Sequence, residues 1–198
     1  MSLATVDSAQ KAAPRVRAAN DWYVEPEWAV RGLLDVQRFS GLVWDPACGK
    51  GTIPRTFAAQ GHAVAGTDLV DRGFGAGGDD FLEFAPARAE NRVENIVCNP
   101  PFNLAEEFLR HALKLARHKV ALLLRLSWLE GRGRAWVFNE TPLAAVHPFA
   151  ARVSMPPGDS DTPAKGGAVA FMWAVWDWSH PVGAPPILRR IERSGACA

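Results

Sequence analysis

One feature constrains this 198-residue chain more than any other: a short apolar run, an abrupt turn signal and a stretch of helical spacing recur in that order. Leu42–Trp44 follows Ser40-Gly41 and is ended by Asp45-Pro46, which predicts a buried strand. Thr52–Gln60 carries a helical pattern stopped by Gly61, and His62–Asp68 alternates small and β-branched residues up to an acid. Asn95–Cys98 reads as a third strand, broken off by Asn99-Pro100-Pro101. Leu104–Ala116 sets Leu104, Phe108, Ala112 and Leu115 on one helical face. Val120–Leu126 is apolar almost throughout, as in a strand covered by helices on both sides. This alternation predicts an α/β domain around a parallel sheet with right-handed crossovers. Ala168–Trp178 is expected to add a central antiparallel strand, and Leu69–Gly78, with four glycines, to be a loop.

The remainder predicts a flexible arm over residues 1–19, a catalytic domain over 20–180 and a basic tail over 181–198 that includes Arg189–Arg193. No separate target-recognition domain is evident. Met155–Gly167 is rich in Pro, Gly and Asp and too long for a mere connector, which points to a functional loop. The longest apolar stretch, Ala168–Trp176, has nine residues against the roughly 20 of a membrane span. Neither a membrane partner nor a secretory signal is therefore expected. Cys48, Cys98 and Cys197 form no CxxC pair, which excludes a disulfide scaffold, predicts no metal site and favours a reducing, cytoplasmic setting. The net charge of +1 excludes nucleic-acid binding by bulk charge. Locally, seven Lys/Arg lie between Arg110 and Arg134 against Glu130 alone, and seven acids lie between Asp68 and Glu94 against three Arg. These stretches are either a pair of solvated faces or an anion-attracting and an anion-repelling side.

Ligands of parallel α/β sheets bind beyond the carboxyl ends of the strands, and the unusual residues all fall there. Asp45-Pro46-Ala47-Cys48-Gly49-Lys50-Gly51 follows the first strand, Asp68 ends the second, and Asn99-Pro100-Pro101-Phe102 follows the third. The glycine loop has the spacing of neither a phosphate-cradling GxxxxGK[ST] loop nor a three-glycine dinucleotide fingerprint. An acid about 20 residues after such a loop accepts hydrogen bonds from ribose hydroxyls, which suggests a nucleoside without a diphosphate. Two prolines stiffen the backbone beside Asn99, so the Asn99 side-chain oxygen and a neighbouring carbonyl form an acceptor pair for an NH2 group. Phe102 offers a stacking face to a planar substrate.

DPACGKG at 45–51, the acid Asp68 and NPPF at 99–102 resemble the S-adenosylmethionine-dependent amino-methyltransferases, notably the DNA adenine-N6 type. Asn20–Pro26 is similar to that family's amino-terminal cofactor motif, which usually has Thr where Glu25 stands here. Gly78-Asp79-Asp80-Phe81-Leu82 resembles the segment that contacts the cofactor adenine. The resemblance covers residues 20–178. It implies a Rossmann-like class I methyltransferase fold, with a mainly parallel seven-stranded sheet, one antiparallel strand and helices on both faces. It further implies S-adenosylmethionine held by Tyr23, Pro26, Asp45, Pro46, Ala47, Gly49, Gly51, Asp68, Leu69, Asp80 and Phe81. Asn99, Pro100, Pro101 and Phe102 become the catalytic segment for transfer to an exocyclic amine.

The expected substrate is adenine N6 in DNA, flipped onto Phe102, with a protein glutamine or an RNA base as the alternative. Trp22 and Trp128 adjoin strand ends and are expected to line the site, while Arg132, Arg134 and Lys165 are candidates for phosphate contacts. A specificity partner or an oligomer would supply whatever target selection the chain lacks. Cys48 and Cys98 read as small buried residues, and Trp173 and Trp176 as core. His111, His118 and His147 lack metal-ligand spacing.

Overall fold

The computed structural model describes residues 21–84, 93–159 and 169–193. The elements run α1 (Glu27–Val36), β1 (Val43–Asp45), α2 (Thr52–Ala58), β2 (Val64–Asp68), β3 (Ala76–Gly77), β4 (Val93–Cys98), α3 (Ala105–Leu115), β5 (Ala116–Arg125), α4 (Ala135–Asn139), β6 (Leu143–Pro148), β7 (Phe171–Asp177) and β8 (Ile187–Leu188). They build one sheet in the order β3-β2-β1-β4-β5-β7-β6-β8. Strands β1 to β5 pair in parallel, and β7 runs antiparallel to both β5 and β6. The sheet has eight strands rather than seven, because Ile187–Leu188 adds a short parallel strand to the β6 edge. Ala76–Gly77 also departs from the expected loop: its backbone pairs with Thr67 and Asp68 although both of its residues are exposed.

The apolar strands are explained by helices on both faces. In β5, Val120, Leu122 and Leu124 belong to the core under α3 and α4, whereas Ala121 and Leu123 belong to the core under α1 and α2. Strand β7 alternates in the same way, with Met172, Ala174 and Trp176 on one side and Phe171, Trp173 and Val175 on the other. Trp173 and Trp176 are fully buried, and their indole N–H groups donate to the Ala29 carbonyl (2.9 Å) and the Thr141 hydroxyl (2.9 Å). Helix α1 escaped the sequence reading, although Ala29, Val30 and Leu33 have helical spacing and are buried.

His147 is buried with both ring nitrogens partnered. The Nδ1 of His147 faces the Arg189 carbonyl at 2.8 Å and must donate to it, so its Nε2 accepts from Gln37 at 2.9 Å. Burial lowers the His147 pKa, in keeping with this neutral tautomer. Among the described residues, no group of three or more His, Cys, Asp or Glu is placed to hold a metal ion. No described helix is long and apolar enough to cross a membrane.

Candidate active site

The carboxyl ends of β1, β2 and β4 open into one pocket. Its walls include Trp22, Tyr23, Glu25, Pro46, Ala47, Gly49, Asp68, Leu69, Asp80, Phe81, Asn99, Pro100 and Pro101. Three segments far apart in sequence thus converge as the strand-end rule predicts. Asp45 and Gly51 stand just behind: Asp45 is buried at the end of β1, and Gly51 caps α2. Pro26 caps α1, where its missing N–H leaves no donor unsatisfied.

The glycine loop needs its glycines. Gly49 and Gly51 have φ of 54° and 84°. A Cβ on Gly49 would lie 2.9 Å from Trp22 Nε1, and one on Gly51 would lie 2.4 Å from the Phe74 ring. Asp68 holds this loop from below. Its Oδ2 accepts the Gly49 N–H (2.8 Å), its Oδ1 accepts the Val70 N–H (2.9 Å), and Arg72 Nε lies 3.5 Å from Oδ1. The Arg72 guanidinium in turn lies over the Trp22 ring, 3.7 Å from its centre. Asp80 is exposed and caps a 3-10 turn at Phe81–Glu83 by accepting the Leu82 N–H (2.9 Å).

The Asn99 amide is the most sharply oriented group in the pocket. Its Nδ2 donates to the Tyr23 carbonyl (2.9 Å) and to Glu25 Oε2 (2.9 Å). A backbone carbonyl can only accept, so this orientation of the amide is dictated by its surroundings. Asn99 Oδ1 is left buried without a hydrogen-bond partner. The segment supplying the Tyr23 carbonyl is itself clamped. Val24 N–H donates to the Pro156 carbonyl (3.0 Å), Gly158 N–H donates to the Trp22 carbonyl (3.2 Å), and Tyr23 bridges to Pro157. The first residues of the long 155–167 loop therefore brace the pocket; Lys165 and the rest of that loop lie outside the described residues.

The pocket is acidic. Asp21, Glu25, Asp68, Asp79 and Asp80 line it, against Lys50 and Arg72. Burial raises the Glu25 pKa to about 7, with only hydrogen bonds from Asn99, Thr52 and its own backbone opposing the rise. Burial and the neighbouring Glu25 charge also hold the Asp45 carboxyl well above its usual range. The same surroundings push the Cys48 thiol up to about 12 and raise that of Cys98, so neither is a thiolate nucleophile at neutral pH.

An acid raised in the folded state stabilises the fold while protonated and loses that advantage as pH climbs from its unfolded to its folded pKa. For Glu25 this window runs from 4.5 to about 7, and the loss is of order 3 kcal/mol. The urea midpoint of the ligand-free protein should therefore fall between pH 5 and 7.5. In Glu25→Gln that slope should be shallower, with the remaining decline due to Asp45.

Phe102 does not line this pocket. Its ring stacks on Tyr23 (centroids 5.5 Å apart), meets Phe171 (5.6 Å) and lies under the Arg125 guanidinium (4.8 Å). The expected free stacking face is thus occupied, because Phe171 of β7 and Tyr23 close around the NPPF turn. Phe102 instead lines a neighbouring notch with Arg125, Ser127, Trp128 and Arg134. There Arg134 lies over Trp128 (4.8 Å) and donates to the Trp128 and Glu130 carbonyls, while its Nε is buried without a partner. Arg132 is exposed one turn away and lines neither cavity.

No protein-family model matches the sequence, and no curated protein matches it with significance. Solved structures do resemble it. A Vibrio vulnificus protein assigned as a modification subunit of a type I restriction enzyme superposes with a TM-score of 0.58 at 15% identity, covering 81% of this chain and 45% of that one. The chain therefore spans under half the length of the Vibrio protein. A Pyrococcus horikoshii protein assigned as an RNA methyltransferase gives 0.58 at 17% identity, covering 78% and 85% of the two chains. An Agrobacterium tumefaciens protein assigned as an O-methyltransferase gives 0.52 at 15% identity, covering 88% and 91%. The chain has the fold of the class I methyltransferases, a mainly parallel α/β sheet with an antiparallel β7 and helices on both faces.

Proposed function

We propose that this protein is an S-adenosylmethionine-dependent N-methyltransferase whose acceptor is an exocyclic amine, with adenine N6 in DNA the leading substrate. The observation that carries the reading is the buried, unpartnered oxygen of Asn99, a residue that lines the same pocket as the glycine loop and Asp68. A buried acceptor without a donor costs about 1–3 kcal/mol, so such an atom calls for a ligand N–H.

The acid excess of the pocket fits a cofactor that carries a sulfonium and an ammonium group. When bound, that cofactor supplies an electrophilic methyl group. Asp68, Asp79 and Asp80 on the pocket walls favour positive charge there, and the Gly49 backbone lets a ligand approach closely. Asn99 Oδ1, with the Pro100 carbonyl beside it, would accept the hydrogens of the target amine and draw its lone pair out of conjugation. The same acceptors stabilise the positive charge that develops on nitrogen, and the rigid prolines keep them in place. Holding both reactants in one crevice lowers the barrier further.

The notch of Phe102, Arg125, Trp128 and Arg134 supports a nucleic-acid acceptor, because stacked guanidinium groups suit phosphates and bases together. The reading is tested by transfer of labelled methyl groups to unmethylated DNA, to RNA and to a protein extract. DNA should take the label; label on protein alone would move the acceptor to a glutamine amide. Arg125→Ala and Arg134→Ala should each weaken DNA binding several-fold and lower the slope of log affinity against log salt by about 1. Titrations at several salt concentrations measure both quantities.

A further inference from the structure

The reading above leaves Glu25 without a task, although it stands where the resembling family usually has Thr. Its carboxylate is buried and donates nothing; it accepts from the Asn99 amide at 2.9 Å. The same amide carries the oxygen left without a partner. An amide whose N–H is drawn to an anion shifts electron density onto its oxygen, since the nitrogen lone pair is delocalised into the carbonyl. Hydrogen bonds joined through a polarisable group strengthen one another in this way.

We propose, building on the methyltransferase reading, that Glu25 is a positioning residue: it holds the Asn99 amide with its oxygen toward the acceptor pocket and polarises that oxygen in proportion to its own ionisation. The Tyr23 carbonyl fixes which way the amide faces, and Glu25 sets how strongly the oxygen accepts. The groups acting on Glu25 are the Asn99 amide, the Thr52 hydroxyl and its own backbone N–H. Its charge acts in turn on Asp45 and on the Cys48 and Cys98 thiols. None of these is a cation, so the proton on Glu25 is exchanged within the neutral range, supported by the upward displacement of its pKa to about 7. Protonation leaves an oxygen still able to accept from Asn99, so the amide keeps its orientation but loses the polarisation.

The effect is read directly in 15N-labelled ligand-free protein, from the side-chain amide of Asn99, assigned by its disappearance in Asn99→Ser. Between pH 5 and 9 the nitrogen and both proton shifts should titrate with a midpoint near 7, and the two protons should stay distinct throughout. In Glu25→Gln, an isosteric acceptor, the two distinct protons should persist and the titration should vanish. With substrate, Glu25→Gln should lower kcat about tenfold, leave KM within about twofold and remove the rise of kcat through neutral pH. A flat Asn99 resonance in the unaltered protein overturns the proposal, as does a titration that survives in Glu25→Gln, because Asp45 would then be its source. The resonance needs neither cofactor nor acceptor. If it titrates while no substrate takes a methyl group, the functional reading fails and the role of Glu25 stands.

Discussion

Replacing Asn99 by alanine should cut methyl transfer by about 10²–10³-fold in kcat while leaving cofactor affinity within about threefold. The magnitude follows from what one pre-aimed polar group contributes when charge develops beside it in a site shielded from water. Two features of the pocket make the split between kcat and affinity specific. Asn99 lines the pocket with an unpartnered Oδ1, and the glycine loop and Asp68, on the other strand ends, are untouched by the change. The alanine also frees the Tyr23 carbonyl and Glu25 Oε2, so a stability loss of about 1–3 kcal/mol should accompany it. Single-turnover kinetics with calorimetry of cofactor binding separates the effects. Equal losses in transfer and in cofactor affinity would show that Asn99 holds the cofactor instead.

The largest loss of stability should come from Trp173→Ala, at about 3–5 kcal/mol. Trp173 is fully buried at the centre of β7, paired with Leu123 of β5 and His147 of β6. Its indole also donates to the Ala29 carbonyl of α1, so the substitution opens a cavity and removes a hydrogen bond between the sheet and α1. Since whole domains are stable by about 5–15 kcal/mol, the variant should lie near the edge of folding. Trp173→Phe fills most of the space and loses chiefly the hydrogen bond, so it should cost visibly less. Urea melts of both variants measure the difference. A Trp173→Ala protein within 1 kcal/mol of the parent would mean that α1 and β7 are held together elsewhere.

Much of this architecture was legible in the order of residues because the sheet is buried on both faces. Strands such as β5 and β7 must then be apolar at successive positions, and their ends are punctuated by Asp45-Pro46 and Asn99-Pro100-Pro101. Two short strands stayed hidden because they depend on backbone rather than side chains. Ala76–Gly77 and Ile187–Leu188 pair through their main chains with their side chains exposed, so no apolar pattern announces them. The convergence of the glycine loop, Asp68 and the NPPF turn was readable from the strand-end rule. The place of Phe102 was not, because it depends on Tyr23, Phe171 and Arg125, which only the folded chain brings together. Glu25 looked like a mere deviation in a motif until its contact with Asn99 was visible.

The clamp between residues 22–24 and 156–158 bears on how the molecule matures. Its halves are separated by more than 130 residues of chain, whereas β4 and β5 pair across a single helix. Loop-closure entropy makes such a distant junction a late event, and local opening would release it first. A population in which every central strand has docked can then still lack an aligned Asn99 amide. Compactness and chemical competence are acquired separately here, so spectroscopic refolding should finish before activity returns.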